Sequence, residues 1–285
     1  MDAVDIDDPI RGRILAAGKA VRATTPLVQS FTNFVTMNLV ANAQLASGGA
    51  AAMSLLPDDV IDTAAIAGAN YINVGTLLPF YREAIPDIAR RFHELGKRWV
   101  LDPVAAGIGS TRTAILTSTK AAPPTIVRAN ASETIALAAM WGLVEGCAKP
   151  VGVESADEVD AARTAAVALA RFLADHATDG QAAVAVSGGV DLVTDGATVY
   201  RLPGGSPMMT KITGAGCSLG GITAVYLAVA DPLTAALAAS LLYNRAGEAA
   251  AAVANGPGSF QVALLDALWN TGPERIADAP MNIEL

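Results

Sequence analysis

Short hydrophobic runs of β type alternate with helical segments along most of the chain, and this alternation constrains the fold more than any other feature. The runs predicted to be strands are residues 26–31, 50–55, 71–75, 98–103, 125–130 and 182–188. Predicted helices separate them at 34–47, 58–68, 79–95, 131–140 and 156–175. Strands that alternate with helices in this way usually lie parallel in one sheet that is covered on both faces. The sequence therefore predicts a three-layer α/β/α fold with a mostly parallel central sheet.

The pattern changes after the sixth predicted strand. The segment "VDLVTDGATVYRL" contains two short β-type runs joined at Asp195 and Gly196, which predicts a hairpin on the edge of the sheet. Residues 217–270 are predicted to be helical, and the region around 142–155 is predicted to be an exposed loop. Because we find no internal repeat, linker or domain boundary, we expect residues 1–285 to form a single domain.

Composition and charge exclude several classes of protein. The chain is 52% hydrophobic and 16% charged, which supports a sizeable core and argues against disorder. It carries 19 basic and 27 acidic residues, so its net charge of −8 repels polyanions. We therefore expect no nucleic-acid partner, and any phosphate ligand must be held by local features of the fold.

Neither a membrane anchor nor a secretory signal is predicted. The first ten residues, "MDAVDIDDPI", contain four aspartates and lack the apolar region of a signal peptide. The most apolar stretch, 217–243, is interrupted by "ADP" at 230–232, whereas a membrane span needs about 20 uninterrupted apolar residues. This stretch predicts two packed helices, and we expect a cytoplasmic protein.

Cysteine and histidine are too sparse for a structural zinc site or a Ser/His/Asp triad. Cys147 and Cys217 lie far apart in sequence, outside any Cys-x-x-Cys or Cys/His pattern, and His93 and His176 are the only sources of imidazole. This cysteine usage is typical of a reducing compartment.

Polar residues follow the predicted strands. The strand ends read "SFTN", "MS", "NVGT", "LDP", "VRAN" and "VSGG" in chain order. Ligands of open α/β sheets bind beyond the carboxyl ends of the strands. We therefore expect the functional site to lie at this edge of the sheet.

The segment "TKITGAGCSLGG" at 210–221 predicts a glycine turn that opens into a helix. Gly214 and Gly216 allow a tight turn, and the free N–H groups of the helix N-terminus can bind an anion. The alternative is an ordinary helix entry with Thr213 near the cap. The chain contains no GxxxxGK[ST] motif, and the glycine turn lies late in the sequence without the βαβ context of a dinucleotide-binding fold.

Asp102 and Glu133 are the candidate metal pair, because Mg²⁺ prefers a few carboxylates together with water and substrate phosphates. Each residue also has a structural interpretation. Asp102 and Pro103 can form a simple turn, and Glu133 follows Asn130 at the spacing of a helix capping box. Arg128 is either a phosphate clamp or a surface ion-pair residue.

Taken together, these motifs resemble hydroxyethylthiazole kinase, a thiamine-salvage family of the ribokinase-like superfamily. The resemblance spans residues 26 to about 221, and its parts are "PLVQSFTNFVTMNLVANAQLASGGAAAMS", "NVGTL", "LDPVAAG", "VRANASE", "VSGGVDLVTDG" and "TKITGAGCSLGG". It implies a ribokinase-like fold and ATP- and Mg²⁺-dependent phosphorylation of the hydroxyl of 4-methyl-5-(2-hydroxyethyl)thiazole. It also implies a homotrimer with active sites at the subunit interfaces.

The resemblance implies a role for each candidate residue. The thiazole side comprises Met53, the backbone at Gly214 and the segment that contains Asn33. Arg128 and Ser187 contact ATP. The backbone N–H groups from Gly214 to Cys217, including that of Gly216, surround the transferred phosphoryl group. Asp102 and Glu133 organise Mg²⁺, and Arg128 or Lys211 balances charge.

Cys217 stands where many ribokinase-like sugar kinases carry an aspartate base. A thiol pKa falls at a helix N-terminus, so partial thiolate character is one expectation. Bound phosphates oppose a second anion, and a loose transition state needs proton removal only late, so we favour a supporting role in which Cys217 orients the hydroxyl. The alternative is a small buried thiol without a role.

Two departures from the family pattern are Phe31, where an aliphatic residue is usual, and Ala129, where glycine is usual. A Cβ at Ala129 is expected to tighten the approach of the nucleotide. Alternative functions are a kinase for another small alcohol such as a hydroxymethylpyrimidine, an ATP-dependent hydro-lyase of the same superfamily, and a non-catalytic nucleotide-binding module.

Overall fold

The structure is a computed structural model that describes residues 1–145 and 156–284. Within these residues, strands of one continuous sheet follow the order β1-β10-β9-β8-β7-β6-β5-β4-β2-β3. The strands are β1 (Asp2–Ala3), β2 (Leu27–Phe31), β3 (Ala50–Met53), β4 (Ala69–Asn73), β5 (Trp99–Asp102), β6 (Ile126–Asn130), β7 (Ala183–Ser187), β8 (Val190–Thr194), β9 (Val199–Pro203) and β10 (Asn282–Glu284). Strands β3, β2, β4, β5, β6 and β7 are parallel, and the remaining pairings are antiparallel.

Helices cover both faces of the sheet. They are α1 (Pro9–Thr24), α2 (Met37–Ala46), α3 (Pro57–Ile66), α4 (Tyr81–Glu94), α5 (Ser110–Ser118), α6 (Ala131–Met140), α7 (Ala156–His176), α8 (Ala215–Leu227), α9 (Pro232–Val253), α10 (Pro257–Asn270) and α11 (Pro273–Ala277). Side chains alternate between the faces, so that Tyr71 packs in one core with α8 and α9, and Ile72 packs in the other core with α4. The predicted three-layer α/β/α architecture with a mostly parallel sheet is confirmed.

The elements missed or misplaced from sequence lie mainly near the ends of the chain. Helices α1, α5 and α11 and strands β1 and β10 were not predicted. The predicted hairpin is present as β8 and β9, but its placement at the edge was wrong, because β10 pairs with β9 and β1 pairs with β10. Residues 146–155 of the loop predicted at 142–155 lie outside the described residues.

The apolar stretch 217–243 forms parts of two helices, as predicted. Helix α8 ends at Leu227, and α9 begins at Pro232 after an N-cap at Asp231, whose carboxylate accepts a hydrogen bond from the N–H of Thr234 at 3.0 Å. Proline at the first helical position removes an N–H that has no acceptor within the helix. In the described part of the chain, no helix is both long enough and apolar enough to cross a membrane.

Candidate functional site

A cleft of about 800 Å³ opens at the carboxyl ends of β5, β6 and β7 and beside the N-terminus of α8. Seven of the nine residues predicted to form the site line it. These are Asp102, Arg128, Glu133, Ser187, Gly214, Gly216 and Cys217. Parallel pairing brings the strand ends together: Asp102 of β5 lies opposite Asn73 of β4, and Asn130 of β6 lies opposite Ser187 of β7.

The glycine turn before α8 needs both of its glycines. Gly214 is the helix N-cap and has a φ of +89°, and a Cβ there would lie 2.8 Å from Thr36 Cγ2. A Cβ on Gly216 would lie 2.6 Å from Arg128 Nη1, so glycine lets the guanidinium approach the first turn of the helix. Gly214 itself occupies the cap position, and Thr213 lies directly before it.

The first turn of α8 presents backbone donors to the cleft. The first intrahelical hydrogen bond runs from the N–H of Ser218 to the carbonyl oxygen of Gly214 at 2.8 Å. The N–H groups of Ala215, Gly216 and Cys217 therefore have no acceptor within the helix. Together with the positive end of the helix dipole, these groups can bind an anion.

Arg128 is the positive charge buried in the cleft. Its side chain is 9% exposed, so the surface ion-pair alternative was wrong. Its Nη2 donates to Ser187 Oγ at 2.6 Å, and its Nη1 lies 3.9 Å from Asp102 Oδ2. Burial disfavours the charge, but the nearby carboxylates of Asp102 and Glu133 outweigh burial and raise the guanidinium pKa. Arg128 thus stays charged and is positioned for phosphate contact.

Asp102 is buried, and one of its carboxylate oxygens is left over. Oδ2 accepts a hydrogen bond from Asn73 Nδ2 at 2.8 Å and lies 3.0 Å from the Tyr71 hydroxyl. Oδ1 is buried and has no hydrogen-bond partner among the described residues. Burial raises the pKa of Asp102 to about 6, although Arg128 opposes that increase. An unpartnered carboxylate oxygen can bind a cation directly or accept a hydrogen bond from a water bound to a cation.

Glu133 forms the capping box that its spacing from Asn130 predicts. Its Oε2 accepts from the N–H of Asn130 at 3.0 Å, and Asn130 Oδ1 accepts from the N–H of Glu133 at 2.9 Å. Its Oε1 accepts from the N–H of Ala105 at 2.8 Å, which fixes the loop that follows Asp102. Glu133 therefore has a structural function whatever else it binds.

A magnesium ion fits this donor set only as part of a nucleotide complex. Among residues 1–145 and 156–284, no group of three or more His, Cys, Asp or Glu side chains surrounds a potential metal position. Mg²⁺ is commonly held by one or two carboxylates, with substrate phosphates and water as the other ligands. Asp102 with its unpartnered oxygen, and Glu133 nearby, meet that lower requirement.

The thiol of Cys217 differs from the expectation of partial thiolate character. Burial and the adjacent charge of Asp102 raise the pKa of the thiol, although the charge of Arg128 opposes the increase. The expected decrease was wrong, because burial and Asp102 outweigh the contributions that favour the thiolate. Cys217 is a neutral thiol whose sulfur lies 3.7 Å from Asn33 Nδ2.

Two predicted residues lie outside the cleft. Asn33 is buried behind it and reaches the cleft through the sulfur of Cys217. Met53 ends β3, the outermost parallel strand, where it pairs with Ser30 of β2. The two departures from the family pattern, Phe31 and Ala129, are fully buried in a hydrophobic core. The expectation that the Ala129 Cβ tightens the approach of the nucleotide was wrong, since this residue packs in the core and not on the cleft wall.

Sequence reasoning missed several polar residues at or below the cleft, among them Tyr71, Asn73, Asp191 and Asn244. Tyr71 and Asn73 contact Asp102 from β4. Asp191 and Asn244 line the cleft beside the turn after β7; Asp191 Oδ1 accepts from the N–H of Gly188 at 2.9 Å, and Oδ2 accepts from Asn244 Nδ2 at 3.2 Å. Burial raises the pKa of Asp191 to about 6. The available sequence signal was the strand end "NVGT" for Asn73; none marked Asn244.

Comparison with known proteins finds close relatives over nearly the whole chain. Residues 19–274 match the hydroxyethylthiazole kinase family. A hydroxyethylthiazole kinase from Bifidobacterium longum (strain DJO10A) is 66% identical over 294 residues, which cover 99% of this chain and 94% of the relative. A solved hydroxyethylthiazole kinase protein from Pyrococcus horikoshii OT3 has a TM-score of 0.83 and 31% identity, with 95% of this chain and 99% of that chain covered.

A more distant structure identifies the general fold. A ribokinase-like superfamily protein from Enterococcus faecalis V583 has a TM-score of 0.57 at 13% identity, and the match covers 85% of this chain and 86% of that chain. At this identity the likeness shows the fold alone. The ribokinase-like fold that the family resemblance implies is thereby confirmed.

Proposed function

Because the chain belongs to the hydroxyethylthiazole kinase family, we propose that it transfers the γ-phosphoryl group of ATP to the hydroxyl of 4-methyl-5-(2-hydroxyethyl)thiazole. The product is the thiazole phosphate used in thiamine biosynthesis and salvage. The observation that carries this proposal is the convergence of the free N–H groups of α8, the buried charge of Arg128 and the unpartnered oxygen of Asp102 on one cleft.

The transferred phosphoryl group lies at the N-terminus of α8 in this proposal. Phosphoryl transfer passes through a loose transition state, so that positioning and charge neutralisation contribute more than covalent chemistry. The N–H groups from Ala215 to Cys217 donate to the phosphoryl oxygens, and Gly216 admits Arg128 beside them. Ser187 holds the guanidinium of Arg128 in place through its hydroxyl. Arg128, Ser187 and Gly216 thus form the nucleotide side of the site.

We assign Mg²⁺ to Asp102 and, directly or through water, to Glu133. The ion would neutralise charge on the phosphates when bound with ATP. Asp102 offers its buried Oδ1, whereas Glu133 is already held by two backbone N–H groups and contributes mainly negative charge. Lys211, on the exposed cleft wall, is a second cation available to the phosphates.

On the acceptor side, Cys217 orients the attacking hydroxyl as a neutral thiol, and the hydroxyl proton passes late in the transfer to an oxygen of the transferred phosphoryl group. Its raised pKa agrees with a neutral positioning group more than with a strong base. Asn33 supports the sulfur from behind, and the backbone at Gly214 contacts the thiazole.

Met53 leads to a proposal about assembly. It lies on the outermost parallel strand and outside the cleft, yet we propose that it contacts the thiazole. Both statements hold if a neighbouring subunit brings its Met53 to this cleft. We therefore propose a homotrimer in which an interface completes the thiazole pocket. We further propose a single-domain, cytoplasmic enzyme, on the basis of the continuous sheet, the use of ATP and the free thiol of Cys217.

The nearest alternative acceptor is another small alcohol such as a hydroxymethylpyrimidine. An ATP-dependent hydro-lyase of the same superfamily is less favoured, because we expect an aspartate at the position of Cys217 in such a protein.

A substrate panel tests the proposed function. ADP release is measured with ATP and Mg²⁺ in the presence of the thiazole alcohol, a hydroxymethylpyrimidine, a hydrated nicotinamide cofactor, or no acceptor. We expect ADP release that depends on the thiazole alcohol and disappears when EDTA removes Mg²⁺. ADP release that prefers another acceptor, or equal release without any acceptor, contradicts the proposal.

A further inference from the structure

Asn73 lies directly below the cleft, at the end of β4, and none of the proposed roles includes it. Its side chain is fully buried, and all of its hydrogen-bonding groups face other parts of the site. Oδ1 accepts from the N–H of Gly75 and from Asn33 Nδ2, both at 2.9 Å. Nδ2 donates to Asp102 Oδ2 at 2.8 Å and to the Tyr71 hydroxyl at 3.0 Å.

The orientation of the Asn73 amide follows from these contacts. The N–H of Gly75 can only donate, so the atom that faces it must be the carbonyl oxygen Oδ1. The amide nitrogen must then face Asp102 and Tyr71. Asn33 is oriented in the same way, because the N–H of Thr36 donates to its Oδ1 at 3.2 Å and leaves its Nδ2 toward Asn73.

This fixed amide determines which oxygen Asp102 presents. Asn73 Nδ2 and the Tyr71 hydroxyl both contact Oδ2, so Oδ1 is the oxygen that has no hydrogen-bond partner among the described residues. On the other side, Asn33 Nδ2 contacts both Asn73 Oδ1 and the sulfur of Cys217, at 2.9 Å and 3.7 Å. The buried side chains of Asn73 and Asn33 therefore connect the carboxylate on the metal side with the thiol on the acceptor side.

We propose that Asn73 is a positioning residue that holds Asp102 and, through Asn33, Cys217 at a fixed separation for phosphoryl transfer. The inference rests on the proposed kinase function. Reacting groups that are displaced by about 1 Å can lose 10²-fold in rate, so loss of this link affects the chemical step more than substrate binding.

Asn73→Ser is the test variant. The N–H of Gly75 donates to Asn73 Oδ1 and closes a local turn. A serine hydroxyl can accept the same bond, so this variant retains the turn. Serine is too short to reach Asp102 and Asn33, so it removes the positioning contacts. Asn70→Ser is the matched control, because Asn70 is a fully buried residue of the same strand whose Nδ2 donates to the carbonyl oxygen of Arg98, away from the cleft.

The measurements are steady-state kinetics and ADP binding by calorimetry with and without Mg²⁺. For Asn73→Ser we expect kcat to fall at least tenfold, with KM for both substrates changed less than about threefold. Metal-free ADP should bind normally, whereas the increase in ADP affinity caused by Mg²⁺ should shrink. For Asn70→Ser we expect lower thermal stability at most, with unchanged kcat and Mg²⁺ effect.

Several outcomes overturn the inference. These are a wild-type kcat in Asn73→Ser, an unchanged Mg²⁺ effect on ADP binding, and equal losses in Asn73→Ser and Asn70→Ser. If Asn73→Ser does not fold, Asn73→Asp decides, because it keeps an oxygen for Gly75 and Asn33 and loses the amide donor that faces Asp102. Full activity of that variant refutes positioning by Asn73. Absence of thiazole-dependent ADP release in the wild-type protein refutes the proposed function instead, and the ADP-binding comparison still tests Asn73.

Discussion

Asp102→Asn should stabilise the ligand-free protein and abolish its activity. Burial raises the pKa of Asp102 from its ordinary value of 3.8 to about 6, so the folded protein holds the charged carboxylate at a cost. The asparagine amide resembles the neutral carboxyl in shape and still offers an oxygen to Asn73 and Tyr71. It cannot ionise, so it avoids the cost of the buried charge.

The pKa difference gives the size and pH dependence of this effect. A pKa raised by folding contributes stability below the unfolded pKa, and that stability is lost as pH rises through the folded pKa. A difference of about 2 units corresponds to about 3 kcal/mol at pH 7.5 and to roughly half of that at pH 5. Asp102→Asn should therefore exceed the wild type in free energy of unfolding by up to about 3 kcal/mol at pH 7.5, with a smaller gap at pH 5.

Chemical denaturation of the metal-free proteins at the two pH values measures the difference in free energy of unfolding between Asp102→Asn and the wild type. ADP release measures kcat. Asp191→Asn is the matched control: Asp191 is also buried, lines the same cleft and has its pKa raised to about 6. Both variants should gain stability at pH 7.5, but only Asp102→Asn should lose kcat by orders of magnitude. A destabilised Asp102→Asn, or a gap independent of pH, refutes the reasoning on the buried charge. Normal turnover in that variant removes Asp102 from the metal site.

Three further predictions concern the proposed site. Cys217→Ala should retain ATP binding and lose about 10²-fold in kcat, because the hydroxyl is no longer positioned. Cys217→Asp should lose at least as much, because its carboxylate adds a negative charge beside Asp102 and the phosphates. An aspartate variant with wild-type or higher kcat would show that this repulsion is unimportant and that position 217 serves as a base. Gly216→Ala should raise KM for ATP by displacing Arg128, because its Cβ would lie 2.6 Å from Nη1; Gly189→Ala, where an added Cβ meets nothing within 4 Å, should change KM little. Light scattering of the active enzyme should give a trimer, and an active monomer at assay concentration contradicts the proposed interface.

The parallel part of the sheet was predictable because most of its strands are buried and read as apolar runs separated by helices. The terminal strands β1 and β10 were not predictable, since they span two and three residues and are too short to show a pattern. Strand β10 depends on tertiary contacts such as the hydrogen bond from Arg201 Nε to Glu284 Oε1 at 2.5 Å. Helix α1 carried a signal that was overlooked, because Asp8 before Pro9 is a capping sequence.

In the candidate site as well, features that depend on local sequence were predictable, and features that depend on contacts between strands were not. Asp102, Arg128 and Ser187 were predictable because each lies near the end of a strand that the sequence marks clearly. Asn73 shares that position, but its contact with Asp102 depends on the register between β4 and β5, which no local pattern specifies. The capping role of Glu133 was visible as a spacing, whereas its bond to the N–H of Ala105 depends on the path of the loop.

The structure gives a physical reason for cysteine at position 217. The side chain lies in the first turn of α8, within the field of Asp102 and close to where the proposed phosphates bind. A carboxylate at position 217 would add a second negative charge beside that of Asp102, which Arg128 already compensates. A thiol with a raised pKa stays neutral, and its sulfur accepts a contact from Asn33 without adding that charge. A loose transition state requires little proton removal before the phosphoryl group has moved, so the residue at 217 needs only to orient the hydroxyl. A neutral thiol can do this.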